Sequence, residues 1–234
     1  TVNTVLHYIK KVLSCMKLRS LRILWPLIDL HAHSTASDGS LTPSQLVALA
    51  AAEELSAIAL TDHDTVAGLT EAAREAARRS IRFVPGIELE VDFDNGVFHL
   101  LGLGLRSWDG AAAERLELAQ RFREERNLAM VELLREGGIP VEYEELVSLA
   151  GHRTVGRPHF ARWLLLNGHV SSFQGAFDTM IGDNGPYNVP KRGLSVGKTC
   201  DIVHEADGVA VLAHPQTLRM NWDDLFLSLK RWRG

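Results

Sequence analysis

The chain has 234 residues, enough for one large domain or two small ones, and 46% of them are hydrophobic, as expected for a protein with a packed core. Its formal net charge of −4 excludes a broad basic surface, so binding of long nucleic acids through charge alone is not expected. The two cysteines, Cys15 and Cys200, exclude a disulfide framework, and a cytoplasmic location is therefore expected.

Residues 1–26 differ in character from the rest of the chain. They include an apolar stretch interrupted by lysines and arginines, which argues against a membrane span and against a signal peptide. A basic amphipathic helix is one interpretation. Because the chain does not begin with Met, and Met16 could be a start, an N-terminal extension or tag is the other.

The first predicted strand ends in His31-Ala32-His33. Alternate residues of a strand share a face, so His31 and His33 can aim at one point beyond the strand end. Two imidazoles at one point indicate a metal site, although two ordinary surface histidines are an equally open interpretation of this pair alone. Asp38 follows in a polar loop, where it suits a turn before Gly39 as well as it suits a ligand.

Strand and helix patterns then alternate as far as residue 105. A capping box formed by Thr42 and Gln45 predicts the start of the first helix. Predicted strands lie at 28–33, 57–60, 81–84, 86–91 and 97–105, and predicted helices lie at 43–55 and 65–79. We interpret Asp64 as a cap of the second helix. The alternation predicts parallel strands with helices outside them.

Polar residues follow the predicted strands where each strand ends. In parallel α/β folds the carboxyl ends of the strands converge, and active sites form there. The residues concerned are His31, His33, Asp38, Asp62, His63 and Glu88.

A helical insertion is predicted over residues 108–188, with helices at 109–136, 142–150, 158–166 and 172–181. The α/β pattern resumes with a helix at 195–205, a buried strand at 208–213 that ends in His214, and a last helix at 222–232. The predicted organisation is therefore a first α/β part at 27–107, the insertion at 108–188, and a second, incomplete α/β part at 189–234.

Imidazole and carboxylate groups without thiolates suit Zn, Mn or Fe. The candidate ligands are His31, His33, Asp38, His63, Glu88, His99 and His214. Their number exceeds what one ion needs, and a carboxylate such as Glu88 can bridge two ions, an arrangement suited to attack on a phosphate ester. Taken alone, His99 among apolar neighbours fits a core histidine, and His214 fits a simple strand end.

Four motifs in order make the chain resemble the polymerase and histidinol phosphatase (PHP) family: Ile-Asp-Leu-His31-Ala-His33-Ser, Leu-Thr-Asp62-His63-Asp64, Pro-Gly-Ile-Glu88 and Leu-Ala-His214-Pro. The segment Gly156-Arg157-Pro158-His159 is similar to the branch that contains 3′,5′-nucleoside bisphosphate phosphatases and 5′-to-3′ exoribonucleases. The resemblance implies a distorted (β/α)7 barrel with two or three divalent ions at the carboxyl ends of its strands.

By position, the resemblance implies that His31, His33 and Glu88 bind a first ion, that Glu88, His99 and His214 bind a second, and that Asp38 and His63 bind a third. Asp62 would orient neighbouring groups. Family members continue into further strands, one of which carries an Asp-x-His pair. Nothing after His214 corresponds to that pair, so a C-terminally truncated, open barrel is expected, with the first and third ions each one ligand short.

The insertion is expected to cover the metal site and to bind substrate. In the resembling branch an Arg-Asn pair and the Gly-Arg-x-His arginine contact nucleotide, which corresponds here to Arg126, Asn127 and Arg157. His159 and Lys191 complete the predicted set, and Arg157 with Lys191 is expected to hold a second phosphate. Arg123, on the same helix, is interpreted as part of a solvated charged face.

The resemblance implies a phosphoesterase that hydrolyses 3′,5′-bisphosphonucleotides or short RNA 5′ ends through a metal-bound hydroxide, without a protein nucleophile. A small phosphorylated nucleotide or short oligonucleotide is the expected partner, and no membrane is. Two alternatives stay open: an inactive PHP domain that binds metal or nucleotide, and a histidinol-phosphate phosphatase, against which the Gly-Arg-Pro-His segment argues.

Overall fold

Five strands form one sheet in the order β1-β2-β3-β4-β5 in the computed structural model, which describes residues 27–94, 96–151, 154–190 and 192–232. The strands are β1 Ile28–Ala32, β2 Ala57–Leu60, β3 Arg82–Val91, β4 Phe98–Leu103 and β5 Val209–Leu212. The first three are parallel, and β4 runs antiparallel to both β3 and β5. The result is a curled half-barrel rather than a flat sheet, as predicted for this mixed α/β chain.

Eight α-helices accompany the sheet in the described part of the chain. They are α1 Pro43–Ala52, α2 Leu69–Arg79, α3 Gly110–Glu136, α4 Tyr143–Leu149, α5 Arg157–Leu166, α6 Phe173–Ala176, α7 Val196–Glu205 and α8 Trp222–Trp232. A π-helical turn, Phe177–Ile181, continues α6. None of the helices in the described ranges combines the length and the apolar content needed to cross a membrane.

The predicted capping box at the start of α1 is confirmed. The Thr42 hydroxyl accepts the Gln45 backbone N–H, and the Gln45 side chain accepts the Thr42 backbone N–H. Helix α2 begins at Leu69 rather than at residue 65, and its N-cap is Gly68, which offers no side-chain cap. The interpretation of Asp64 as a helix cap is therefore wrong.

The core lies in three clusters of buried side chains. One cluster packs α1 and α2 on β1 and β2, and a second packs α7 and α8 on β3 and β4. The third lies wholly between residues 130 and 181, around Met130, Leu146 and Phe160, so the helical segment has apolar packing of its own. The division of the chain into domains stays a prediction.

Two details of the sheet differ from the sequence-based expectation. The strands expected at 81–84 and 86–91 form the single strand β3, in which Pro85 lacks an N–H but its carbonyl accepts from Gly104 and Leu105. Strand β5 was expected to be buried, yet Val209 is 65% exposed and Val211 is 38% exposed. The reason is that β5 is the last strand of the described sheet and pairs only with β4 within it.

Candidate metal centre

The strands bring their polar residues to one rim of the sheet. His31 lies in β1 and His33 just beyond it, His63 follows β2, and Glu88 lies within β3 beside His63 in a parallel bridge. Because β4 is antiparallel, its beginning reaches the same rim, and there His99 pairs with Glu90 of β3.

The Glu88 carboxylate is the middle of the cluster and is only 1% exposed. Its Oε2 lies 3.1 Å from His31 Nε2, 3.0 Å from His33 Nε2 and 3.4 Å from His63 Nδ1. Its Oε1 lies 2.9 Å from His99 Nδ1 and 2.9 Å from His214 Nε2. The two oxygens therefore face two different sets of imidazoles, as expected of a bridging carboxylate.

Asp38 joins the cluster from the loop after β1. Its Oδ1 lies 3.3 Å from His33 Nδ1, and its Oδ2 lies 3.8 Å from His63 Nε2. All seven predicted ligands are thus linked by short contacts around a single rim. Their role as ligands stays a prediction, but the geometry on which that prediction depends is present.

The donor set fits divalent cations. Ligands at 2.0–2.1 Å in a tetrahedron are about 3.3 Å apart, and the nitrogen–oxygen distances around Glu88 are close to that value. Two imidazole nitrogens that could serve as ligands, His33 Nδ1 and His63 Nδ1, lie 3.3 Å and 3.4 Å from carboxylate oxygens without the geometry of a hydrogen bond among the described residues. Nitrogen and oxygen atoms that converge in this way without bonding one another suit a cation between them.

The distances are compatible with the first two ligand sets that the resemblance implies. His31 Nε2, His33 Nε2 and Glu88 Oε2 lie within 3.1 Å of one another, and so do His99 Nδ1, His214 Nε2 and Glu88 Oε1. Two other sets, His31 with Glu88 and His214, and His33 with His63 and Glu88, also have donor atoms within 4.8 Å of one another. Glu88 belongs to all of these sets, so its bridging position does not depend on which partition applies.

The pKa values reflect the crowding of these charges. Burial opposes ionisation of Glu88, but hydrogen bonds from four histidines outweigh it and hold the pKa of this carboxyl well below its usual range. Burial likewise opposes protonation of His33, yet Asp38 and Glu88 raise the pKa of His33 to about 10. Burial lowers the pKa of His63 to about 3 despite the same two carboxylates. Because ligands bind metal as neutral imidazoles, cation binding must release the proton from His33.

Comparison with known families decides what the chain is. The PHP domain family model matches residues 29–168, a range that contains six of the seven predicted ligands, all except His214. The chain belongs to the PHP family.

Two curated relatives extend the comparison to most of the PHP chain. A 5′-3′ exoribonuclease from Haemophilus influenzae is 34% identical over 209 residues, which are 88% of this chain and 76% of the relative. A 3′,5′-nucleoside bisphosphate phosphatase from Chromobacterium violaceum is 36% identical over 189 residues, 80% of this chain and 66% of the relative. The chain thus spans about two thirds to three quarters of their lengths.

A solved structure supports the fold. An amidohydrolase from Chromobacterium violaceum, solved with sulfate and no metal, has a TM-score of 0.80 and 34% identity, over 88% of this chain and 74% of that one. With relatives that are phosphatases and exoribonucleases, the PHP chain is assigned to the phosphoric ester hydrolases.

Asp62 is held by the loop that connects two of the predicted ligands. Its Oδ1 accepts the Ser34 N–H at 2.8 Å and the Ser37 hydroxyl at 2.6 Å, and its Oδ2 accepts the Ser34 hydroxyl at 2.7 Å. Burial raises the pKa of Asp62, and these bonds work against that rise. Since Ser34 follows His33 and Ser37 precedes Asp38, Asp62 fixes the path of the loop between the two.

Replacing Asp62 by asparagine is expected to weaken metal binding by about 10- to 100-fold, because the amide presents only one acceptor to three donors. The affinity is measured by titrating the metal-free protein with Mn²⁺ or Zn²⁺, with circular dichroism to verify the fold. Asp201→Asn, on the exposed surface of α7, is the matched control. Unchanged affinity in Asp62→Asn would show that Asp62 has no part in ordering the site.

Asp64 and Arg123 form a buried ion pair that the sequence did not predict. Asp64 Oδ2 accepts from Arg123 Nε at 2.8 Å and from Nη2 at 2.7 Å, and the two side chains are 0% and 7% exposed. The Gln120 amide adds a bond of 2.8 Å to the Asp64 carbonyl. The interpretation of Arg123 as part of a solvated face is therefore wrong: it joins the long helix α3 to the loop that carries His63.

The predicted substrate residues separate into two places. Arg126 and Arg157 lie with His63 and His99 around a small cavity of ≈ 160 Å³ at the metal centre. Asn127 faces a neighbouring cavity on the other side of Arg123. His159 Nδ1 accepts the Gly156 N–H at 3.0 Å, which ties it to the start of α5, and burial lowers its pKa. Lys191 lies outside the described residues.

The sequence did not predict the contacts made by Ser34, Ser37, Gln120 and the Asp64–Arg123 pair. Gln120, Arg123 and Asn127 occur at helical spacing on α3, a signal that places them on one face. Spacing does not say what that face contacts, so the partner Asp64 could not be inferred from it.

Proposed function

We propose that this PHP protein hydrolyses phosphate esters of nucleotides that carry a second phosphate, either 3′,5′-bisphosphonucleotides or the 5′ ends of short RNA. The observation that carries the proposal is the Glu88 carboxylate, whose two oxygens face two imidazole sets directly beside Arg126 and Arg157. Bound divalent ions would activate water and neutralise the charge of the reacting phosphate. The names of the two curated relatives point to the same substrates.

Arg126 is suited to bind the reacting phosphate. It is 6% exposed, and its Nε has no hydrogen-bond partner among the described residues. Burial, with the nearby cations of Arg123 and Arg157, lowers the pKa of Arg126 to about 10. An anion at this position would relieve that repulsion and accept the unused donor, so Arg126 would hold a phosphate oxygen towards the metal centre.

Arg157 is suited to hold the second phosphate. Its Nη1 donates to Asp183 Oδ1 at 2.8 Å, and its side chain is 27% exposed, so a ligand can reach it. Asp183 orients the guanidinium but also competes with a phosphate for it. The selectivity for a bisphosphorylated end therefore depends on the Arg157 guanidinium, whose attraction for phosphate Asp183 weakens.

The activity itself is tested with the metal-free protein, reloaded with Mn²⁺, Zn²⁺ or Fe²⁺. Phosphate release from a 3′,5′-bisphosphonucleotide is expected, together with mononucleotide release from a short 5′-phosphorylated RNA, and both should vanish on chelation. Metal binding without hydrolysis of either substrate would instead support a binding domain without turnover. Preferred hydrolysis of histidinol phosphate would redirect the assignment to that substrate.

Arg157→Ala is expected to lower kcat/KM for the bisphosphonucleotide by about 10- to 100-fold relative to the matching 5′-monophosphate, because a charge-assisted hydrogen bond to the second phosphate is lost. Asp183→Asn should have the opposite sign, since it removes the competing carboxylate. Both effects are measured as ratios of kcat/KM for the two substrates. Equal losses on both substrates in Arg157→Ala would refute the assignment of Arg157 to the second phosphate.

A further inference from the structure

A larger cavity adjoins the metal centre on the side away from Arg157. Its volume is ≈ 480 Å³, within the range of roughly 300–1,000 Å³ that is usual for small-molecule sites. It lies between the loops of the sheet and the helical segment, and Tyr143 at the start of α4 forms part of its wall. We name it the Tyr143 flank.

The Tyr143 flank and the metal centre form one continuous cleft. Arg123 and Thr154 line both. Along the remaining walls, residues of one compartment are direct neighbours in sequence of residues of the other: Ala36 precedes Ser37, and Val155 precedes Gly156. On the opposite side, the metal centre shares Glu90, Arg126 and Arg157 with a third cavity of ≈ 350 Å³, which we name the arginine flank. The metal centre is therefore the middle of three compartments.

The charges of the Tyr143 flank do not suit a phosphate. Among the lining residues that the structure describes, the one cation is Arg123, which is neutralised by Asp64 at 2.7 Å. The other charged residues among them are Glu71 and Glu124. An anion would be repelled there, whereas an uncharged group with hydrogen-bonding edges would not.

The remaining lining suits a nucleobase. Tyr143 offers an aromatic ring, and burial raises the pKa of its hydroxyl, which keeps it neutral. Asn127 is 1% exposed, and its Oδ1 has no hydrogen-bond partner in the described part of the chain. Its Nδ2 donates to the Val155 carbonyl at 3.0 Å, which fixes the amide so that Oδ1 can accept from an amino group.

We propose that the Tyr143 flank binds the nucleoside on the downstream side of the reacting phosphate when the substrate is the 5′ end of a short RNA. This inference rests on the proposed function. A 5′-phosphorylated nucleotide lies in the arginine flank, its 3′ phosphate at the metal centre, and the next nucleoside in the Tyr143 flank. Water adds to phosphorus, the bond from phosphorus to O3′ breaks, and O3′ takes up a proton. The phosphate stays bonded to O5′ of the downstream nucleoside, which leaves as a 5′-phosphorylated product.

The test blocks the Tyr143 flank without touching the metal centre. Ala67 lines this flank and is exposed, so tryptophan can replace it and fill the cavity from its open side. Ala67→Trp is expected to lower kcat/KM for a 5′-phosphorylated dinucleotide about tenfold, the scale of one lost base stack. For the bisphosphonucleotide the change should stay below about twofold. Tyr143→Leu, which removes the ring and keeps an apolar side chain, should show the same difference.

Ala111→Trp, an equal substitution on the exposed first turn of α3, is the control and should change neither substrate. Equal losses on both substrates in Ala67→Trp and Tyr143→Leu would overturn the inference, and so would unchanged hydrolysis of the dinucleotide.

A binding measurement separates this inference from the proposed function. Calorimetry with a dinucleotide that carries an uncleavable methylene bridge should show tenfold weaker binding in Ala67→Trp than in the unmodified protein. If the unmodified protein hydrolyses neither substrate, the proposed function fails, and this binding difference alone decides about the Tyr143 flank. Equal binding by the two proteins would then refute its assignment.

Discussion

Replacing Glu88 by glutamine is expected to remove hydrolysis and metal binding together. Glutamine keeps the size of the side chain but replaces one carboxylate oxygen by an amide NH2 group, whose nitrogen does not bind a cation. Because each Glu88 oxygen faces its own set of imidazoles, both sets lose their shared anion in a single substitution. The expected loss of metal affinity exceeds the roughly 10- to 100-fold typical of residues that only support a ligand.

The measurement is metal content by elemental analysis after dialysis against a defined free concentration, with kcat/KM for the bisphosphonucleotide beside it. Glu117→Gln, an equal change on the exposed face of α3, is the matched control. A Glu88→Gln protein that retained its full metal content would show that Glu88 is not a bridging ligand. Loss of activity with metal retained would restrict its role to the chemistry.

Replacing Arg123 by methionine is expected to destabilise the fold by about 3–5 kcal/mol, because the 0% exposed Asp64 carboxylate loses the cation that neutralises it. Methionine keeps most of the packing volume, so the effect reports charge rather than a cavity. The free energy of unfolding is measured by urea denaturation of the metal-free protein. Arg115→Met is the control, since its pair with Glu205 is about one third exposed and should contribute less than about 1 kcal/mol.

A double-mutant cycle gives the energy of the pair itself. Asp64→Asn is measured alone and together with Arg123→Met, and the double variant should be less destabilised than the two single effects added. Strict additivity would mean that Asp64 and Arg123 do not depend on each other. In that case the pair would not be what joins α3 to the loop of His63.

The convergence of the candidate ligands could be predicted because these residues obey a local rule. His31 and His33 alternate along one strand, His63 and His214 follow strands, and such positions converge wherever the strands lie side by side. The place of Glu88 in β3 was enough to predict that it lies near these histidines. The sets in which these ligands group depend on side-chain directions at a curved rim, which the strand pattern does not contain.

The errors have a common physical cause. Asp64 and Arg123 are distant in sequence, and the sequence around each residue suggested a local role: a helix cap for Asp64 and a solvated cation for Arg123. The contact between the two residues forms only when the chain folds. The predicted burial of strand β5 was wrong for a related reason. Its unbroken apolar run is typical of a strand covered on both faces, but exposure depends on which elements lie beside it, as at Val209.

The reversed direction of β4 sets the length of the helix that follows it. The chain leaves β4 at Leu103, which pairs with Gly86 and Val209 at the end of the strand away from His99. From Gly110 to Arg123 the helix α3 rises roughly 20 Å, back to the level of Asp64. The number of residues between Gly110 and Arg123 therefore sets the direction of the side chains that follow. One residue added to or removed from this stretch would rotate the later side chains of α3 about the helix axis by about 100°. Arg123 would then turn away from Asp64, and Arg126 away from the cavity that it lines with His63 and His99, without any change in the candidate ligands.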